Sequence, residues 1–292
     1  MAVEDRPPPF HLSRPGPDAP CGAGLVAASP HSGRNYGGAF LARTVLDRRN
    51  VRSSEDAFMD ELLAGAPACG VPLLAADVPR AIIDLNRAAE ELDPAVVRDV
   101  PRGAANPRVS SGLGVIPRVV AQGRAIYSGK ISRAEAATRI DTVWRPYHAA
   151  LAGLMDEAVD QAGRALLLDF HSMPHEAIES SSQKGRVPEV VLGDRFGASA
   201  SAEIVDMVEA VFVDLGFRVV RNVPFAGAYI LQAHGRPAEG RHAIQVEIDR
   251  ALYMDEVRLE RNAQFGAMRN LLTEAVARVR DDVSGGLPVA AE

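Results

Sequence analysis

Short apolar runs alternate with longer amphipathic segments along this chain of 292 residues. Runs of roughly 4–8 apolar residues bounded by glycine, proline or polar clusters read as strands. The pattern predicts strands at Gly24–Ser29, Val71–Ala75, Arg80–Leu85, Ala165–Phe170, Arg218–Arg221 and Ala243–Ile248. Helical spacing predicts helices over Ser54–Leu63, with a serine N-cap, and over Ser132–Ala162, Ala200–Leu215 and Glu256–Asp282. Pro146 predicts a break in the second, because a proline inside a helix lacks the N–H and crowds the preceding turn. Strands alternating with helices predict an α/β layered fold with a mostly parallel sheet. In such sheets ligands bind beyond the carboxyl ends of the strands.

The flanks read differently. Residues 1–20 are proline-rich and aperiodic and predict an extended arm; residues 284–292 read as a tail; residues 21–283, without a linker or repeat, read as one catalytic domain. A composition of 47% hydrophobic and 24% charged residues excludes wholesale disorder. A net charge of −6 argues against general nucleic-acid binding. No run approaches the roughly 20 apolar residues of a membrane span. The start, MAVEDRPPPF, has no apolar stretch of the signal-peptide kind, so a cytoplasmic protein is expected. Two cysteines, Cys21 and Cys69, cannot build a disulfide framework. Lys130 and Lys184 are the only lysines, so each arginine must be argued from its position.

The predicted strand ends deliver reactive groups. GLVAAS runs into Pro30-His31-Ser32-Gly33, AIIDL into Asn86-Arg87, ALLLDF into His171-Ser172, and AIQVEI carries Glu247 ahead of Asp249-Arg250. Parallel strands would bring His31, Asn86, Arg87, His171 and Glu247 together. Two histidines and a carboxylate with an open fourth position form the donor set of a catalytic zinc ion, and a separate carboxylate can act as general base. The chain has no HExxH and no GxSxG, which excludes a helix-borne metalloprotease site and weakens a serine hydrolase reading. Gly112-Leu113-Gly114 lacks the rest of either nucleotide-binding fingerprint.

The strings PHSGRNY at 30–36, IDLNR at 83–87, WRPYH at 144–148, DFHSMP at 169–174, GDRFG at 193–197, NVPFAGAYI at 222–230 and HAIQVEIDRALYMDE at 242–256 resemble, in this order, the N-formylglutamate amidohydrolase family. The likeness runs from about residue 24 to about residue 275. That family is similar to zinc carboxypeptidases and aspartoacylase. The resemblance implies a three-layer α/β/α zinc-hydrolase fold and cleavage of an N-acyl amino acid amide, with N-formylglutamate giving formate and glutamate in a branch tied to histidine degradation. It implies one zinc held by His31, His171 and a carboxylate of the Glu55–Asp60 segment, Asp56 first and Asp60 as the alternative, the two sharing one helix face. Glu55 would serve only the helix start. Glu247 would be the general base, Asn86 and Arg87 would hold the substrate carboxylate, and Arg80 would polarise the scissile carbonyl. Arg250 would either bind a distal carboxylate or neutralise Asp249. Asn222 and Gly227 would lie over the pocket, where Gly227-Ala228 replaces the two glycines usual in the family. His148 reads as packing or as support for a ligand, His175 and His234 as residues at the pocket, and His242 as a partner of Glu247 or of the substrate. A deacylase of another N-acyl amino acid, or a binding protein on the same fold, are the other functions in view. The sequence says nothing of oligomeric state.

Overall fold

The computed structural model describes residues 9–101, 106–179 and 187–285. The first eight residues of the predicted arm, Lys184 and the last seven residues of the tail lie outside them. The fold is α/β. Its main sheet has seven strands: β1 (Phe10–Ser13), β2 (Leu25–Ser29), β3 (Leu73–Ala76), β4 (Ala165–Met173), β5 (Val190–Gly193), β6 (Val219–Arg221) and β7 (Arg241–Asp249). Their order is β1-β3-β2-β4-β7-β5-β6. β2, β4 and β7 run parallel, as do β5 and β6, while β5 meets β7 antiparallel. The sheet is therefore mixed and mostly parallel.

The chain divides into two compact units: Met1–His11, Pro30–Glu55 and Ala75–Ala150 form one, and Leu12–Ser29, Asp56–Leu74 and Leu151–Glu292 the other. The second contains the larger core. Leu166, Leu168 and Phe170 of β4, Ile244, Val246 and Ile248 of β7, and Val190 and Leu192 of β5 cluster with the apolar stripes of helices Ala202–Asp214 and Phe265–Ser284. Those stripes follow helical spacing, with Ile204, Val205, Val208, Val211 and Phe212 on one helix and Met268, Leu272, Val276 and Val279 on the other. Burial of side chains of this size stabilises by about 1.5–3 kcal/mol each. The first unit is made mostly of turns and short helices around a smaller cluster of Tyr36, Phe40, Val51, Ala81, Val120 and Ile126.

Several predicted elements differ. Residues 80–85 are successive turns, not a strand. Ala81, Ile83, Asp84 and Leu85 are all buried. The backbone, however, bonds within turns and to a distant loop, with Ile82 N–H on the Pro79 carbonyl and Asp84 N–H on that of Val115. A short apolar run records burial, and here burial without a ladder. The predicted helix Ser54–Leu63 is a 3₁₀ turn, Asn50–Ser54, an extended Glu55, a left-handed Phe58 and a single α-turn, Met59–Leu62. Asp56 therefore precedes the helix and does not share a helical face with Asp60. The helix predicted from Glu256 begins at Phe265, because Met254–Asp255 and Glu260–Arg261 pair as a small hairpin first. Helical structure runs unbroken through Pro146: α over Arg133–Arg139, π over Ile140–Trp144 and α again over Arg145–Ala162. The wide π turn just before Pro146 accommodates the missing N–H. Short β5 was not predicted, and residues 10–13 of the supposed arm form β1.

Candidate metal and carboxylate-binding site

Period-2 alternation sorts β4 and β7 into two faces. Even-numbered Leu166, Leu168, Phe170, Ile244, Val246 and Ile248 join the core cluster with the helices, and odd-numbered Asp169, His171, Gln245 and Glu247 take the other face. The register pairs Asp169 with Gln245 and His171 with Glu247, so these four share one face. All are buried. His171 Nδ1 lies 3.0 Å from Asp56 Oδ2 and its Nε2 lies 3.0 Å from Asp169 Oδ2. Burial works against a charged ring, but Asp169, Asp56 and Glu247 outweigh it and raise the His171 pKa well above the ordinary value. Three carboxylates around one imidazole demand positive charge there. Asp56 is gripped from its other oxygen, since Arg250 Nη2 donates to Oδ1 at 3.0 Å. Arg250 is itself buried and donates from Nε to Ser172 Oγ at 3.1 Å. Gln245 Nε2 donates to Glu247 Oε1 at 2.8 Å.

His31 follows β2 in a tight turn. A Cβ on Gly33 would stand 2.3 Å from the Val78 carbonyl oxygen, so only glycine lets the chain pass there. His31 Nε2 donates to Asp84 Oδ1 at 2.8 Å. The same oxygen accepts the Asn86 N–H at 2.9 Å, while Oδ2 accepts Arg80 Nε at 3.0 Å. Asp84 is wholly buried. Burial alone would raise its pKa, but Arg80, His31 and Arg87 hold it well below the carboxylate range. Arg87 is buried too, and that lowers its pKa, with the neighbouring Arg80 and Arg108 adding to the effect against Asp84. Its Nε donates to the Leu113 carbonyl at 2.8 Å and Nη1 to the Asn86 carbonyl at 3.2 Å. A guanidinium has five N–H donors, so the outer Nη edge remains for a ligand.

His31, Asp56 and His171 each offer a ligand atom, and these atoms lie within 4.8 Å of one another. Asp60 is not among them. The donor set suits a divalent ion. Both imidazoles are fixed by a carboxylate on Nε2, the arrangement that orients metal-binding histidines, and Nδ1 is the nitrogen those carboxylates leave to the ion. Two imidazole nitrogens and one carboxylate oxygen are donors that a divalent ion can share.

Other predicted residues have different partners. Asn222, with a positive φ of 62°, donates to Asp194 Oδ1 and accepts the Asp194 and Phe196 N–H groups, so it ties the loops after β5 and β6 together. Asp249 is not neutralised by Arg250. It binds His175 Nδ1 at 2.7 Å and caps the Ala251 N–H. His242 accepts the Ser201 N–H, and its odd–even position turns it away from Glu247. Burial lowers His234 to about 4. Glu55 is buried and accepts from Tyr36 and Arg52, so it is more than a favourable acid at a helix start. Asp84 and Asp169 were missed as functional candidates. Asp169 had a signal, since it lies two residues before His171 and so on the same strand face. Asp84 had only its place in IDLNR. Among the described residues no helix is long and apolar enough to cross a membrane.

The sequence profile of N-formylglutamate amidohydrolase matches residues 23–254. N-formylglutamate deformylase of Pseudomonas aeruginosa is 30% identical over 236 residues, covering 80% of this chain and 82% of the relative. The Pseudomonas putida enzyme of the same name is 28% identical over 239 residues, with the same coverage. The crystal structure of N-formylglutamate amidohydrolase from Ralstonia eutropha JMP134 superposes with a TM-score of 0.87 at 37% identity, covering 96% of this chain and 99% of that one. A gene product of Agrobacterium tumefaciens, Atu2144, shares the fold at a TM-score of 0.63 and 14% identity, covering 95% of this chain and 96% of its own. With a profile match across most of its length, the chain belongs to the N-formylglutamate amidohydrolase family.

Proposed function

We propose that this protein hydrolyses the formyl amide of N-formylglutamate to formate and glutamate with one zinc ion held by His31, Asp56 and His171. The clustering of those three donors in a chain of this family carries the reading. Zinc in a site of two histidines and a carboxylate lowers the pKa of water and polarises a carbonyl. The remaining work falls to the chain. Glu247, beside His171 in register and oriented by Gln245, takes a proton at its carboxylate and returns it to the leaving nitrogen. Arg250 does not serve the substrate in this account. It holds Asp56 so that Oδ2 faces His171. Asn86 and the outer edge of Arg87 receive the substrate α-carboxylate, because a planar guanidinium matches a carboxylate with two parallel bonds. Arg80, anchored at Nε by Asp84, is the guanidinium assigned to the developing negative charge on the scissile carbonyl. Asn222 shapes the loop over the pocket through Asp194.

Metal analysis together with formate release tests this. Purified protein should carry about one zinc per chain and release formate from N-formyl-L-glutamate, with N-acetyl-L-glutamate and N-formylglycine far poorer substrates. Protein that takes up no divalent ion overturns the metal site. Preferred turnover of another acyl group overturns the substrate and moves the chain to a different deacylase within the same chemistry.

A further inference from the structure

The segment that bears Asn86 and Arg87 belongs to no strand or helix, yet an enzyme that selects a carboxylate needs its guanidinium at a fixed angle. Two side chains from one helical run reach this segment. Trp144 Nε1 donates to the Arg87 carbonyl at 2.8 Å, and His148 Nε2 bonds the Leu85 carbonyl at 2.9 Å. The two carbonyls flank Asn86. Trp144 and His148 are four residues apart, so they stand on one helix face, and their rings lie 4.1 Å apart at 39°. Both are buried. Trp144 closes the π turn Ile140–Trp144, and His148 lies in the α-helix that follows. A π turn holds one residue more than an α turn, and one residue is worth about 100° of helix rotation. It therefore decides which way the following residues face.

We propose that Trp144 and His148 are positioning residues that set the backbone of Asn86 and Arg87, and through it the preference for substrates with a free carboxylate. The proposal rests on the reading of Arg87 as the carboxylate grip. Both bonds go to backbone carbonyls, so they constrain the segment's geometry and leave its charge unchanged. On the other side, Asp84 N–H bonds the Val115 carbonyl and Arg87 Nε bonds that of Leu113. The segment is held by these bonds and by those of the Trp144–His148 pair.

The experiment compares N-formyl-L-glutamate with its α-amide in the parent, Trp144→Phe, His148→Leu, His148→Gln and Arg87→Gln enzymes. Loss of one hydrogen bond of ordinary net strength supports about a 3–10-fold change. For Trp144→Phe and His148→Leu we expect KM for the carboxylate substrate to rise by about that factor. Their kcat and zinc content should stay near parental, and the preference for carboxylate over amide should fall. His148→Gln, which keeps an N–H donor, should recover most of it. Trp144 is also the chain's only tryptophan, so it reports without mutation. Titrating the parent with N-acetyl-L-glutamate should change its emission, the α-amide should not, and Arg87→Gln should abolish the response. If Arg87→Gln loses the preference while Trp144→Phe and His148→Leu keep it, or the parent's emission is silent, the positioning role is overturned. If Arg87→Gln keeps the preference, the carboxylate grip itself is wrong and the positioning role falls with it. If the variants fail to fold, the emission titration still decides.

Discussion

His171 and His31 are each backed by a buried carboxylate at Nε2, Asp169 and Asp84, but the two are mounted in different ways. His171 and Asp169 are alternate residues of a nine-residue strand whose whole length is in register with β7. Their relation follows from the pleat, and the ladder would hold it if either side chain changed. His31 and Asp84 are 53 positions apart on turns. Their relation depends on side chains: Asp84 receives His31, Arg80 and the Asn86 N–H, and Arg87 reaches out to Leu113. A strand keeps its geometry through the backbone, whereas the turn segment keeps it through a charged hub. The first should tolerate chemical change at constant fold. The second should not.

The sharpest form of that contrast is Glu247→Gln on the strand face. The substitution is nearly isosteric and the ladder is untouched, so the protein should fold and load zinc normally. Loss of a general base should lower kcat by about 10²–10⁴-fold. Metal analysis alongside steady-state kinetics checks this. Zinc loss in that variant would make Glu247 a ligand, and near-parental turnover would place the base elsewhere.

The backing carboxylates give the direct comparison. Asp84→Asn removes the charge that His31, Arg80 and Arg87 face, and breaking such a buried pairing costs about 3–5 kcal/mol of stability. Asp169→Asn should leave stability close to parental and weaken metal affinity by about 10–100-fold, as loss of a carboxylate behind a metal-bound histidine typically does. Denaturant unfolding of the metal-free proteins and competitive zinc titration separate the two. Equal destabilisation by both substitutions would end the distinction between strand and turn mounting.

The smallest effect concerns the end of β7, where His175 clasps Asp249. The hydrogen bond to Asp249 raises the His175 pKa, against slight burial. A raised histidine pKa stabilises fully below the unfolded value of about 6.5 and loses that contribution as pH rises through the folded value. The difference in melting temperature between parent and His175→Gln should therefore be clear in mild acid and shrink as pH climbs above neutrality. A difference that grows with pH would show that the clasp is not ionic.

The same contrast explains what could be read from the chain. The β4 and β7 faces were legible because apolar Ile244, Val246 and Ile248 alternate with Gln245, Glu247 and Asp249, and period 2 is a backbone property. His31 and His171 stood out as histidines following apolar runs. Arg80–Leu85 was misread because turns can bury a short apolar run without a ladder. The partnerships of Asp84 with His31, of Arg250 with Asp56 and of Trp144 with Arg87 span 53, 194 and 57 positions. Side-chain bonds over such distances leave no periodic trace. The π turn left none either, since its only local sign was Pro146, which argues for a break.

The sheet order has a consequence for how the protein is made. β7 is the last of the seven strands to leave the ribosome, yet it lies between β4 and β5. Until residues 241–249 emerge, β4 has an unpaired edge facing where β7 will go, and the β5–β6 pair has no strand joining it to the rest. Long-range pairings of this kind form late, and unpaired edges invite association with other chains. The nascent protein must keep two edges apart from other chains until one late strand fills the gap. That strand carries Glu247, so the step that closes the sheet also delivers the residue assigned as the base, and no earlier fragment can have one without the other.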